Sequence, residues 1–572
     1  MSSEVIEGHG GELAVAVARS HSVDTMFTLS GAHVFPLYDA AVGGKEGVAA
    51  GSARARQPGE AHAPAGPMRL IDVRHEATAV FAAEAVGKLT RTPGLAVVTA
   101  GPGVTNSVSA IAQAHQSGSP LVVIGGRAPA HRWGSGSLQE LDHPPLVATI
   151  TKLARTVPTT EELPAAVHEA FTTAATPHRG PVFLDIAMDH LYSRATAEIP
   201  AVAERASEEP DPDLLADIAD LLAEASRPVL VLGSDVWLGG AEEEARTFVE
   251  ELQIPVVSNG MGRGILPKGH PLLMTRARSA AFGRCDLAIV AGAPLDFRLG
   301  YGTFGGRDGA PPAKVVHLVD SPQQIAQHVD LAGAACGDLR LVFTRLADAW
   351  GQVLRRPDWS SWRSELASTA RAREQKDAEA LEAASEPIHP ARIYGELLPL
   401  LTEDTVVVGD GGDFVSYAGK YIEPARPGCW LDPGPFGCLG AGLGAALAAR
   451  LVRPSSPVVL LLGDGAAGMS LFDVETLVRH NLPVVIVVGN NGCWGLEKHP
   501  MRMLYGYDVA ADLRHDTAYD TIACALGGAG ETVRKPDEIG PALRRAFDAG
   551  VPYLVNVLTD PEVAYPRATF GV

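Results

Sequence analysis

The sequence predicts an α/β protein built from three doubly wound, parallel-sheet domains. Its 572 residues exceed what one core can organise, and a prior of roughly 150 residues per domain gives three or four units. Short apolar runs of strand length alternate with helix-prone stretches along the chain, the rhythm of parallel sheets covered on both faces. A hydrophobic content of 46% with 61 glycines and only 6% aromatics leaves apolar area for a core in each unit, and no apolar run approaches a membrane span.

The first unit, residues 1–195, carries strands at Thr25–Leu29, Leu95–Val98, Leu121–Ile124 and Val182–Ile186. Residues 43–67, rich in Ala, Gly and Pro, are expected to form a mobile surface insertion. An acidic, Pro- and Ala-rich linker at 199–213 leads into the second unit, 210–365, with strands at Pro228–Gly233, Ile254–Val257, Leu287–Val290 and Val315–Leu318. The turn after Gly233 reads Ser-Asp-Val-Trp-Leu-Gly-Gly and lacks the G-x-G-x-x-G spacing, which argues against a nicotinamide dehydrogenase. A charged, helix-prone connector at 371–386 precedes the third unit, 385–572, with apolar runs at Thr405–Val408, Pro457–Leu462 and Leu482–Val488. No sequence repeat is visible between the units; they share only a pattern.

The formal charge of −20 argues against nucleic-acid or anionic-membrane partners, so an anionic ligand must meet a local basic patch. Residues 1–20 lack the basic start and apolar core of a secretory signal, and a cytoplasmic location is expected. The six cysteines (285, 336, 429, 438, 493 and 524) have neither CxxC nor metal-ligand spacing and read as reduced, packed thiols.

Two apolar runs of the third unit end in groups suited to one ion. The first runs into Gly463-Asp464-Gly465, a glycine turn that exposes backbone N–H groups ahead of the helical stretch 470–480 and offers a hard carboxylate. The second ends at Asn490-Asn491, whose amide oxygens suit the oxygen-only shell of magnesium. Together they read as a magnesium-diphosphate site. Gly409-Asp410-Gly411 also follows an apolar run but has no Asn-Asn partner, and by itself means only a strand-end turn.

These motifs, with Glu76 in Asp72-Val-Arg-His-Glu-Ala77 and the run Gly101-Pro-Gly-Val-Thr-Asn106, resemble thiamine-diphosphate enzymes of the acetolactate synthase and 2-hydroxyacyl-CoA lyase type over nearly the whole chain. The resemblance implies a pyrimidine-binding first domain, a central domain, a diphosphate-binding third domain, and a homodimer or homotetramer with active sites between subunits. It implies that Asp464, Asn491 and the backbone carbonyl of Cys493 ligate magnesium, and that the Gly463 turn with Gly465, Ala466 and Ala467 holds the diphosphate. Glu76 maps onto the family's activating glutamate, and Leu439 onto the bulky apolar residue beneath the bent cofactor.

Further features bear on the reaction. Gly444 in Gly440-Ala-Gly-Leu-Gly444 resembles the hydroxyacyl-CoA lyase and oxalyl-CoA decarboxylase pattern more than acetolactate synthases, and Gly492-Cys-Trp-Gly-Leu-Glu-Lys-His-Pro500 lacks the latter's Gln-Trp element. Glu497 stands where a carboxyl group could shuttle a proton to a substrate hydroxyl. Gln139, beside Glu140, resembles the family's Phe-Gln-Glu element, and His115 falls in a loop facing the cofactor in relatives. Arg263, Arg276, Arg278, Arg284 and Arg298 concentrate positive charge in the central domain, a candidate site for ADP, CoA or a flavin, and the tail Ala564–Val572 suits a lid over a nucleotide or a packed end. The leading expectation is a lyase cleaving 2-hydroxyacyl-CoA to an aldehyde or ketone plus formyl-CoA. The alternative is an acetolactate synthase-type carboligase acting on pyruvate, and intact Glu76, Asp464 and Asn491 count against a non-catalytic relative.

Overall fold

The computed structural model describes residues 4–45, 67–203 and 206–565. Most of the expected insertion, 46–66, and the end of the tail, 566–572, lie outside them. Among the described residues, three parallel sheets organise the chain. The first has spatial order Arg69–Asp72, Thr25–Thr28, Gly94–Val98, Leu121–Arg127, Pro181–Ala187, Leu153–Val157. The central sheet runs Val256–Ser258, Pro228–Leu232, Leu287–Ala291, Lys314–Val319, Gly333–Cys336. The third runs Trp430–Leu431, Val406–Asp410, Val458–Gly463, Val485–Asn490, Tyr553–Leu558, Ala529–Val533.

The first and third sheets have the same order although their sequences share no repeat: the second strand lies outside the first, followed by the third, fourth, sixth and fifth. Each of the three sheets reverses its winding beside its first strand, and ligands of such sheets sit in the crevice at the strands' carboxyl ends. In the third sheet that crevice falls between Asp410 and Gly463.

The strands found beyond the sequence expectations are mostly edge or short elements. Leu-Ala-Arg-Thr-Val157 and Ala-Gly-Glu-Thr-Val533 carry polar residues because one side faces outward, which breaks the apolar run. Tyr553–Leu558 is central, but Asn556, nearly fully buried, interrupts its run and hydrogen-bonds Asn490. The N-terminal strand Glu4–His9 pairs antiparallel with Arg194–Ile199, at the end of the first unit. The expected connector is the end of a helix, Ser360–Leu381, anchored by buried Trp362, whose indole N–H donates to the Pro228 carbonyl at 3.0 Å.

Two helices join the first and third units within the chain. Glu76–Thr90 and Gly442–Val452 are rich in alanine and contribute to one apolar cluster. Their contact requires glycine at 444, where a Cβ would stand 2.9 Å from the Thr78 carbonyl oxygen and 3.0 Å from the Phe81 Cβ. Asp473 caps the contact, accepting from the Arg74 N–H at 2.8 Å and from the Thr78 hydroxyl at 2.7 Å. Gly444 therefore has a packing cause. No helix among the described residues is long and apolar enough to cross a membrane.

Candidate active site

Strands Val406–Asp410, Val458–Gly463 and Val485–Asn490 lie side by side, with Gly463 opposite Gly489. Helix formation begins at once after Gly463, over Asp464–Ser470, rather than at Ser470 as the sequence suggests. The early start aims the first helical N–H groups toward the crevice. Close packing lines its floor: a Cβ on Gly411 would stand 3.0 Å from the Gly463 nitrogen and one on Gly465 2.3 Å from the Trp494 ring, while one on Gly463 would meet only the Gly411 Cα, at 3.9 Å.

The cavity here, about 520 Å³, is lined by Leu439, Gly463, Asp464, Gly465, Ala466, Asn491, Cys493 and Glu497, with Asn259, Arg263 and Arg298 of the central domain at its side. Ala467 does not line it; that residue is buried in the apolar core. The two asparagines also part company. Asn490 is fully buried, its amide donating to Thr517 and Asn556 and its oxygen accepting from the Gly492 N–H, so it holds the turn and leaves Asn491 to face the cavity.

Burial pushes the Asp464 carboxyl up to about 6, against the N–H groups of Gly465 and Gly492, the latter donating to Oδ2 at 2.9 Å. Burial also pushes the Cys493 thiol up to about 12, so the sulfur stays protonated and the oxygen this residue offers is its backbone carbonyl. Glu497 is exposed in the first turn of helix Gly495–Tyr505, while its neighbour Lys498 is buried and paired with Asp512 at 2.8 Å.

Asp410, read from sequence as a plain turn residue, has a larger part. It is fully buried, and its two oxygens accept from the Gly440 N–H at 3.2 Å and the Gly442 N–H at 2.7 Å. It thus pins the loop that carries Leu439. The signal was present in the repeated Gly-Asp-Gly, but its partners lie thirty residues away.

The first-domain group forms separately. Glu76 opens helix Glu76–Thr90, is 7% exposed, and accepts from the Asn106 amide at 3.0 Å. Gln139, in left-handed backbone at φ 60°, covers the Gly101 turn, where a Cβ would stand 2.9 Å from its own Cβ. Glu140 accepts from the Gly134 and Ser137 N–H groups and so shapes its own loop. Among the described residues no part of the first domain lines the third-domain cavity.

His115 belongs to neither group. It lies in the last turn of helix Val108–Gln116, on the wall of a second cavity of about 730 Å³ at the central sheet's crevice. Burial and nearby His178 hold its pKa below the ordinary imidazole value. On the same wall His178 bridges Asp320 at 3.2 Å and Asp235 at 3.7 Å, tying the first domain to the central one.

The expected arginine patch is largely consumed by internal partners. Arg263 donates to the carbonyls of Gly419 and Ile422, Arg276 pairs with Asp377, Arg284 with Asp308 and Glu365, and Arg298 with Asp296. Arg278 donates to the Arg298 carbonyl. At the tail, the Tyr417 hydroxyl donates to the Ala564 carbonyl and the Tyr565 ring packs edge-on against Tyr417, so the described part is a packed end.

Comparison with known proteins matches three profiles in order: the N-terminal TPP binding domain of thiamine pyrophosphate enzymes over residues 8–146, their central domain over 215–346, and their C-terminal TPP binding domain over 410–557. The acetolactate synthase large subunit IlvG of Mycobacterium tuberculosis is 48% identical over 98% of this chain and 97% of its own length. The 2-hydroxyacyl-CoA lyase 2 of Danio rerio is 33% identical over 96% of this chain and 91% of its own. The chain belongs to the thiamine pyrophosphate enzyme family.

The residues present fit a thiamine pyrophosphate enzyme's cofactor. Gly463 lines the cavity with only the Gly411 Cα, at 3.9 Å, near where a Cβ would stand, so glycine there leaves room that a side chain would take from a diphosphate, and a buried carboxylate and an amide share the wall as hard oxygen donors. When bound, thiamine pyrophosphate supplies a centre that stabilises negative charge on carbon, while the protein binds, orients and excludes water.

Proposed function

We propose that the chain is an acetolactate synthase-type carboligase, joining two molecules of a short 2-oxo acid such as pyruvate with loss of one carbon dioxide. The observation that supports it best is the 48% identity across 98% of the chain with an acetolactate synthase large subunit, against 33% with the 2-hydroxyacyl-CoA lyases. The lyase expectation therefore gives way to the alternative. Its local support has also weakened, because Gly444 has a packing cause and the arginines meant for a CoA tail are engaged elsewhere.

In this reading Asp464, Asn491 and the Cys493 carbonyl hold magnesium, the N–H groups after Gly463 receive the diphosphate, and Leu439 supports the cofactor from below. Glu76 of a second copy in a homo-oligomer closes the site, Gln139 stands beside it, and Glu497 moves a proton at the oxygen of the substrate's 2-oxo group. With the expected arginines engaged, CoA loses its support, and the central cavity is left to a flavin or ADP; a yellow protein on purification would support the first.

The lyase remains the second reading because relatives of that name match 96% of the chain. One experiment separates them. Purified protein with magnesium and thiamine pyrophosphate is given pyruvate in one vessel, and formyl-CoA with acetone in another. Acetolactate is expected from the first; a 2-hydroxyacyl-CoA from the second, without acetolactate from the first, would overturn the carboligase.

A further inference from the structure

We propose that His143, oriented by the buried carboxylate of Asp185, is a positioning residue for Glu76. The inference rests on the reading of Glu76 as the cofactor-activating carboxyl group. Both His143 and Asp185 are fully buried, on different elements from Glu76. The Gly101 N–H donates to His143 Nε2 at 2.9 Å, so that nitrogen is the acceptor and the ring proton sits on Nδ1, directed at Asp185 Oδ1 at 2.8 Å. Asp185 in turn takes the Arg127 guanidinium and the Thr156 hydroxyl on its other oxygen.

What this holds is a turn under constraint from both sides. Gly101 has φ 59°, and Gln139 lies against it so closely that no Cβ fits. Below it His143 takes its N–H. From Gly101 the chain makes one short helical turn, Pro102–Thr105, to Asn106, whose amide donates to Glu76 Oε2 at 3.0 Å. A fully buried carboxylate is costly unless every lone pair is met. Here the carboxylate selects one tautomer of His143, the tautomer fixes the Gly101 turn, and the turn sets the position of Asn106 against Glu76.

The test follows deuterium exchange of the reactive ring proton of bound thiamine pyrophosphate in the assembled holoenzyme, alongside kcat and the cofactor KM. His143→Leu fills the space but offers no acceptor to Gly101 and no donor to Asp185. Exchange and kcat are expected to fall by about 10- to 100-fold, the loss that a small misplacement brings. The cofactor KM should change far less than the exchange rate, because the groups proposed to hold the diphosphate and magnesium line the third-domain cavity and lie away from His143. His143→Gln, whose amide can accept from Gly101 and donate to Asp185, should restore most of the exchange.

Native exchange in His143→Leu beside slow exchange in Glu76→Gln would overturn the positioning role alone. Native exchange in Glu76→Gln would overturn the activating reading, and the positioning role with it. Should His143→Leu not fold, Asp185→Asn, of the same shape but without the charge that selects the tautomer, is read in the same way.

Discussion

Asp464→Ala is expected to lose thiamine pyrophosphate and magnesium together, with cofactor affinity lowered by more than about 100-fold, since even a group behind a metal ligand commonly costs 10- to 100-fold. Asp464 offers the only carboxylate among the three proposed oxygen donors, and its neighbours Gly463 and Gly465 cannot replace it. Trp494 lies against the Gly465 turn, so quenching of tryptophan fluorescence on titration with the cofactor reads the loss directly. Native quenching in the variant would remove Asp464 from the site. The same carboxyl sets a pH limit. Burial raises it from 3.8 to about 6 in the folded protein, so the native state binds more protons than the unfolded chain between those values. Without cofactor, its contribution to stability is therefore present at low pH and is lost as pH rises through about 6. Metal binding has the opposite slope, because a cation must displace the proton; native affinity should decline below about pH 6 and hold steady above it.

Glu76→Gln is expected to lower kcat by about 100- to 10,000-fold, the range for removing a positioned proton-transfer group. The amide keeps the size of the side chain but cannot exchange a proton with the pyrimidine ring. Cofactor titration should change far less than kcat, since the groups proposed to hold magnesium and the diphosphate, Asp464, Asn491 and the turn after Gly463, all line the third-domain cavity. Steady-state rates at saturating cofactor, set beside fluorescence titration, separate the two effects. A variant that turns over normally would leave the carboxyl as a helix-start residue and nothing more.

The chemistry-bearing ends of Val458–Gly463 and Val485–Asn490 are legible in sequence because central parallel strands are apolar on both faces and their motifs follow directly. The pairing of Asp464 with Asn491 follows from that. The division of labour between Asn490 and Asn491 is not legible, because it depends on Asn556 and Thr517 reaching back to the first of them. Asp410 was hidden for the same reason: its acceptor role appears only when the chain returns at Gly440 and Gly442. His143 gives no local signal, standing in a Pro-rich stretch whose partners are at 101 and 185. Charge in the central domain misled in the other direction, since arginines counted as a ligand patch spend themselves on carbonyls and carboxylates of their own chain.

The cavity without a first-domain wall has a genetic counterpart. If two copies complete each other's sites as proposed, each molecule lends its Glu76 to one centre and its Asp464 to another. Glu76→Gln and Asp464→Ala then damage different partners, and a mixed pair holds one centre with both defects and one with neither. Two preparations that are each inactive should regain activity on being dissociated and reassembled together, approaching about a quarter of the native centres on random pairing. Intragenic complementation of that kind is unavailable to an enzyme whose site closes within one chain.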